Sequence, residues 1–296
     1  MGNSIFHIKT TEALKGASHA FSETACKIIV VENLKTDVYT VLPSWLRRGP
    51  QPKDCGLFHF DSCFSLDRIK QTWQGLSESV EGALTRCILQ LRKGSINEEE
   101  TFLLIYSVFG VALHKTQDFY THSNWIELLS SIADKPEVPT WEEAIAIAAS
   151  GVNPGLESLL EKAYTVAYRQ KIIPPGIKTH GEMNLDGPDT AYAKIFAPCG
   201  KTYYELALIT ASRATVEWSE KLRNWVNDEL LWQDLCGCSK ISEKTQKIYG
   251  RELKEILDLS RYGKKINLHT ISAYLKWHNF NSGTSKQAVC ALIKRN

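Results

Sequence analysis

Apolar residues recur at alternating steps of three and four through Leu66, Ile69, Trp73, Leu76, Val80, Ala83, Cys87 and Leu91, the spacing that lines one face of an α-helix. A long amphipathic helix is therefore predicted here. A second helix is expected to open at Asn97, a suitable N-cap, with Glu98, Glu99 and Glu100 placing negative charge at the positive end of its dipole. Its body contains "TFLLIYSVFGVAL" at 101–113, the most apolar run in the chain, and reads as a helix buried in the core. Further helices are expected from Thr140, which stands at capping-box distance from Glu143, from Pro154 to about Lys171, and from about Lys201 to Val226.

The stretch from Ile177 to Gly200 is rich in Gly, Pro, Asp and Asn and reads as a long ordered loop, a feature that inside a compact domain is usually functional or disordered. Strand-like alternation is confined to a weak "DVYTVL" at 37–42. The predicted fold class is all-α: a multi-helix domain over residues 1–238 and a small basic helical extension over 239–296, divided where the composition shifts near Cys236 to Ser242.

Composition narrows the function classes. With 296 residues, 43% of them hydrophobic and eight Trp, the chain can bury a large core and is not a disordered protein. Its net charge of +2 hides an asymmetry, because residues 240–296 carry twelve Lys/Arg against four Asp/Glu while the remainder is acidic. A basic appendage on an acidic body favours phosphate-bearing partners, although a solvated helical surface would look the same. The eight cysteines form no regular framework, and Cys236 and Cys238 are spaced C-x-C, so reduced thiols are expected.

The N-terminus lacks the basic start and apolar core of a secretory signal, and Phe6 stands where a myristoylation motif needs Ser or Thr. A cytoplasmic protein is expected, with non-classical secretion or loss of a signal as the alternative. The apolar run at 101–113 is shorter than the roughly 20 residues needed to cross a bilayer, so no transmembrane segment is expected. Phosphate-cradling P-loops, dinucleotide fingerprints and serine nucleophile elbows are absent.

The chemistry concentrates in "HKTQDFYTHSNW" at 114–125. At about 100° per residue, His114, Asp118 and His122 drift only about 80° around a helix and project from one face. Imidazole and carboxylate are donors that zinc accepts in catalytic sites. Each residue alone would more often be a cap or a hydrogen-bonded polar group. Three together at the end of an apolar helix are costly, at about 2 kcal/mol or more for each polar group buried without a partner.

"QDFYTHSNW", together with "HFD" at 59–61, "HIKTTEAL" at 7–14 and "KTHGEMNLD" at 178–186, resembles the HET-C family, which groups with zinc-dependent phospholipases C and fungal zinc nucleases. The resemblance covers roughly residues 1–225. It implies an all-helical domain around two or three zinc ions. His114 and Asp118 would bind one ion, with Asp118 also reaching a second that His7 helps to hold. His59 and Asp61 would complete the first, and His122 and His180, with Asn184 or Asp186, would hold the third. Asp61 and Asp118 would be the catalytic carboxylates, Asp61 bridging metals or taking a proton from water, and Gln117 would orient a ligand imidazole.

The expected activity is zinc-dependent phosphoester hydrolysis, most naturally phospholipase C-type cleavage at a phospholipid surface to which the protein binds peripherally. The alternatives are a zinc nuclease acting on single-stranded nucleic acid and a non-enzymatic toxin or interaction module with a structural metal site. For "HFDSC", a loop with an internally satisfied histidine remains the plain reading. Ser123 and Asn124 are either supporting donors or helix-end caps, while Trp125, Tyr203 and Tyr204 read as core.

Overall fold

Helix α4 (Glu98–Thr121) owes its place to the apolar run, because every residue from Ile105 to Thr121 is buried. The computed structural model describes residues 4–17, 20–41, 59–94, 97–131, 137–167 and 172–261. Around α4 pack α2 (Glu23–Val41), α3 (Leu66–Arg92) and α8 (Tyr203–Val226). Helix α1 (Ser4–Thr11) and the 3-10 turn Glu12–Gly16 lie against α2 and α8. Shorter helices follow: α5 (Trp125–Ser130), α6 (Trp141–Ala149), α7 (Pro154–Leu160) and α9 (Glu229–Gly237). The last, α10 (Glu243–Arg261), packs back on α2. The fold is all-α, and the described residues contain only isolated β-bridges.

The predicted face of α3 is the one it buries, from Ile69 through Trp73, Leu76, Val80 and Ala83 to Cys87, with Leu66 and Leu91 packed at the edge. Helix α6 begins with the expected capping box, in which Thr140 accepts from the Glu143 amide and the Glu143 carboxylate accepts from the Thr140 amide. Helix α4 begins after Asn97 as expected, although the Asn97 side chain makes no cap bond.

Two elements differ from expectation. Residues 37–41 of the alternating "DVYTVL" continue α2 as helix, and Leu42 lies outside the described residues. The helix from Pro154 stops at Leu160 rather than near Lys171. Beyond it the chain straightens and bonds across the site: the Asn124 amide donates to the Tyr164 carbonyl, the Thr165 amide to Cys63, the Val166 amide to His122, and the Ser62 amide to Val166. These bonds replace the helical ones that residues 162–167 would have made, and they tie the end of α4 to the segment that follows His59.

Helices α2 and α4 meet at Gly110, where an added Cβ would stand 2.8 Å from the Asn33 amide nitrogen and 2.8 Å from the Glu32 Cβ. Glycine is needed there for close approach. Cys26, Cys63, Cys87, Cys199, Cys236 and Cys238 are all free thiols. Cys236 lies in α9 and Cys238 caps it in a left-handed conformation at the start of the turn that follows; Cys55 and Cys290 lie outside the described residues. No helix among the described residues is long and apolar enough to cross a membrane.

Candidate metal centre

Asp118 projects from the last turn of α4 into a ring of imidazoles. Its Oδ1 lies 3.4 Å from His7 Nε2, its Oδ2 lies 3.4 Å from His114 Nε2, and Oδ2 is in short contact with His59 Nδ1. Thus α1 supplies His7, α4 supplies His114 and Asp118, and the segment before α3 supplies His59. The His7 and His114 rings stack with centroids 4.4 Å apart, and the His59 ring stands edge-on to His114 at 5.0 Å. The ligand atoms of His7, His114 and Asp118 all fall within 4.8 Å of one another, and the three residues are buried.

A second triad forms from His122, His180 and Asp186 under the same separation. His122 caps α4 with φ −119° and ψ 21°, so it has already left the helix. Its ring therefore does not complete the patch with His114 and Asp118 that the i, i+4, i+8 spacing predicted; it lies 4.3 Å from the His180 ring, and its Nε2 is 3.2 Å from Asp186. The loop between Ile172 and Thr202 brings His180 and Asp186 to this place. It is pinned by the Leu185 amide, which donates to the Thr121 carbonyl.

Asp61 Oδ1 lies 3.9 Å from His122 Nδ1, and the charges of His59 and Asp118 also act on its carboxyl, so members of both triads bear on it. Asn184 is turned inward on its own loop, its Oδ1 accepting from the Asp186 amide at 2.7 Å, so Asp186 is the carboxylate that faces the two histidines. Ser123 and Asn124 serve the backbone: Ser123 Oγ accepts from the Trp125 amide, and Asn124 accepts from the Tyr164 amide and donates to the Lys162 carbonyl. Trp125 and Tyr204 are core residues, and Tyr203 is partly buried against it.

Electrostatics divide the carboxylates. Burial works to raise the Asp118 carboxyl, but His114, His59 and His122 outweigh it and hold it well below the usual range. Asp186 is likewise pulled below the usual range against its burial, chiefly by His122. Asp61 goes the other way: burial raises it, and His122 and His59 recover only part of the shift. Burial would lower His122, yet Asp186 and Asp118 raise it to about 10. Burial, assisted by the His122 charge, lowers His180 to about 4.

The donor set suits a divalent cation. Asp61 Oδ1, His122 Nδ1 and Asp186 Oδ1 are buried with no hydrogen-bond partner among the described residues, and leaving such atoms unsatisfied costs about 1–3 kcal/mol each. Nitrogen and carboxylate-oxygen donors converging from separate elements are what a metal of intermediate softness accepts. The two triads can therefore hold metal ions. The signals that reveal them in sequence are the histidines; the supporting residues Asn33, Thr11 and Thr215, described below, gave no such signal. Comparison of the chain with models of known protein families, with characterised proteins and with solved structures gives no match.

Proposed function

We propose that the chain is a zinc-dependent phosphoester hydrolase that acts on phospholipid in the manner of a phospholipase C. The observation that carries this reading is the pair of neighbouring His/His/Asp triads, with Asp118 gathering three imidazoles and Asp61 placed toward His122. His7, His114 and Asp118, with His59 beside them, would hold one centre, and His122, His180 and Asp186 the other. Zinc held there would supply Lewis acidity and lower the pKa of water toward neutrality.

The chain's own residues divide the remaining work. Asp118 and Asp186, held in the ionised form, anchor the cluster. Asp61, whose buried carboxyl has a raised proton affinity, accepts the proton of the attacking water. His59 and His180 are the partly exposed members, so the substrate phosphate approaches from their side. The choice of phospholipid follows the resemblance to the HET-C and phospholipase C group.

The test is metal content per chain by elemental analysis, combined with turnover of phosphatidylcholine vesicles, bis(p-nitrophenyl) phosphate and single-stranded DNA, with chelator and with zinc restored. Two or more zinc ions and chelator-sensitive release of phosphocholine are expected. Cleavage of DNA alone makes the protein a nuclease. The complete burial of the His7, His114 and Asp118 triad favours one rival reading, a structural metal site in a non-enzymatic module. One tightly held metal and no turnover of any substrate would establish it.

A further inference from the structure

Behind the first triad lies a network of neutral side chains, Thr11, Asn33, Gln117 and Thr215, all fully buried. Its hydrogen bonds share one direction, because Thr11 Oγ1, 3.2 Å from both amide groups, has a single proton and can accept from both but not donate to both. Thr215 Oγ1 spends its single proton on the Ala211 carbonyl at 2.9 Å, leaving only lone pairs to offer Gln117. Gln117 must therefore turn its amide nitrogen to Thr215, at 3.1 Å, with its second N–H directed to Thr11 Oγ1 at 3.2 Å.

Gln117 Oε1 then faces the opposite way, where it meets His7 Nδ1 at 2.9 Å and Asn33 Nδ2 at 3.0 Å. Because Asn33 must donate to that oxygen, and gives its other N–H to Thr11 Oγ1 at 3.2 Å, its own Oδ1 is left for His114 Nδ1 at 3.0 Å. An oxygen of a carboxamide only accepts, so both imidazoles carry a proton on Nδ1. Each then turns Nε2 toward Asp118.

We infer that Thr215, acting through Gln117 and Asn33, fixes the protonation pattern of the two stacked imidazoles and so aims both Nε2 atoms at a single metal ion. The inference rests on the reading of the first triad as a metal site. Thr215, Gln117 and Asn33 are positioning residues: none belongs to the triad, yet together they decide which nitrogen each histidine offers. Burial strengthens the effect, since it keeps bulk solvent from replacing a lost partner and reversing the polarity of the network.

The test uses the full chain with ¹⁵N-labelled histidine, metal-free and loaded with ¹¹³Cd as a spin-active substitute for zinc. Nδ1 of His7 and His114 should be protonated in both states, and cadmium should couple to Nε2 of each ring. Coupling through Nδ1 of either ring, or an unprotonated Nδ1 in the metal-free chain, overturns the inference. Thr215→Val, which keeps the shape but removes the acceptor, should weaken metal binding by about 10- to 100-fold in competition with a chelator, and Thr215→Ser should restore it. A folded Thr215→Val chain with wild-type affinity also overturns it. If that variant does not fold, the wild-type spectra decide. These readouts need no substrate. Metal bound as described without turnover sinks the hydrolase reading alone, whereas turnover with Nδ1 ligation sinks this inference alone.

Discussion

Asp186 and Asn184 are two residues apart on one loop, and their roles divide by what their oxygens already touch. Asn184 Oδ1 is engaged by the Asp186 amide, whereas both Asp186 carboxylate oxygens lie 3.2 Å from His122 Nε2. Asp186→Ala should therefore lose the metal of the second triad. Asn184→Ala should keep it and lose only the turn bond, a change of about 1 kcal/mol. Elemental analysis of both variants checks this, and retention of full metal content by Asp186→Ala would overturn the assignment. The histidines and aspartates of the site could be read from the sequence because a polar pattern at the end of an apolar helix is conspicuous. Asn33 and Thr215 could not. A single amide or hydroxyl in an apolar helix looks like an ordinary tolerated residue until the fold shows what lies 3 Å away.

Between helices, the decisive contact is the crossing of α2 and α4 at Gly110. One turn further along α4 stands His114, and on α2 the facing residue is Asn33, which bonds to that histidine. A methyl group at Gly110 would meet backbone atoms, the Asn33 amide nitrogen at 2.8 Å and the Ile29 carbonyl oxygen at 3.0 Å, which cannot rotate away. Gly110→Ala is expected to push the helices apart at a cost of about 1–3 kcal/mol, the usual range for overpacking. A fall of several degrees in Tm with weaker metal binding is the expected result, and an unchanged Tm would show that the crossing has room. Helix periodicity made α3, α4, α6 and α8 legible in advance, since each depends on local pattern and capping. The early end of α7 was not legible, because residues 163–167 are held by bonds to Cys63, His122 and Lys178 that are remote in sequence. Helical spacing alone kept His122 on the α4 face, while the motif resemblance grouped it with His180 and Asp186, where the returning loop places it.

At the scale of the whole molecule, the start of the basic extension is built into the body rather than appended to it. Tyr249 and Glu252 on α10 enclose Lys35 and Glu32 on α2. The Tyr249 hydroxyl donates to Glu32 at 2.8 Å, Lys35 Nζ lies 3.0 Å from Glu32 and 2.8 Å from Glu252, and Ser107 on α4 donates to the other Glu32 oxygen at 2.8 Å. A composition shift marked where the extension begins, but composition carries no information about which surface it covers. Lys35 bridges two buried carboxylates, Glu32 and Glu252, so Lys35→Met should remove that cation from both and cost about 3–5 kcal/mol, the scale for breaking a buried pair. Burial works to lower the Lys35 pKa, but Glu32, Tyr249 and Glu252 overcome it and raise it well above 10.5. A lysine raised in the folded state contributes stability that is fully present below its unfolded value and is lost only as pH climbs through the folded one. The difference in unfolding free energy between wild type and Lys35→Met should therefore be constant from pH 7 to 9 in urea titrations. A difference that shrinks within that window would mean Lys35 is not held as a cation, and α10 would then depend on its apolar contacts alone.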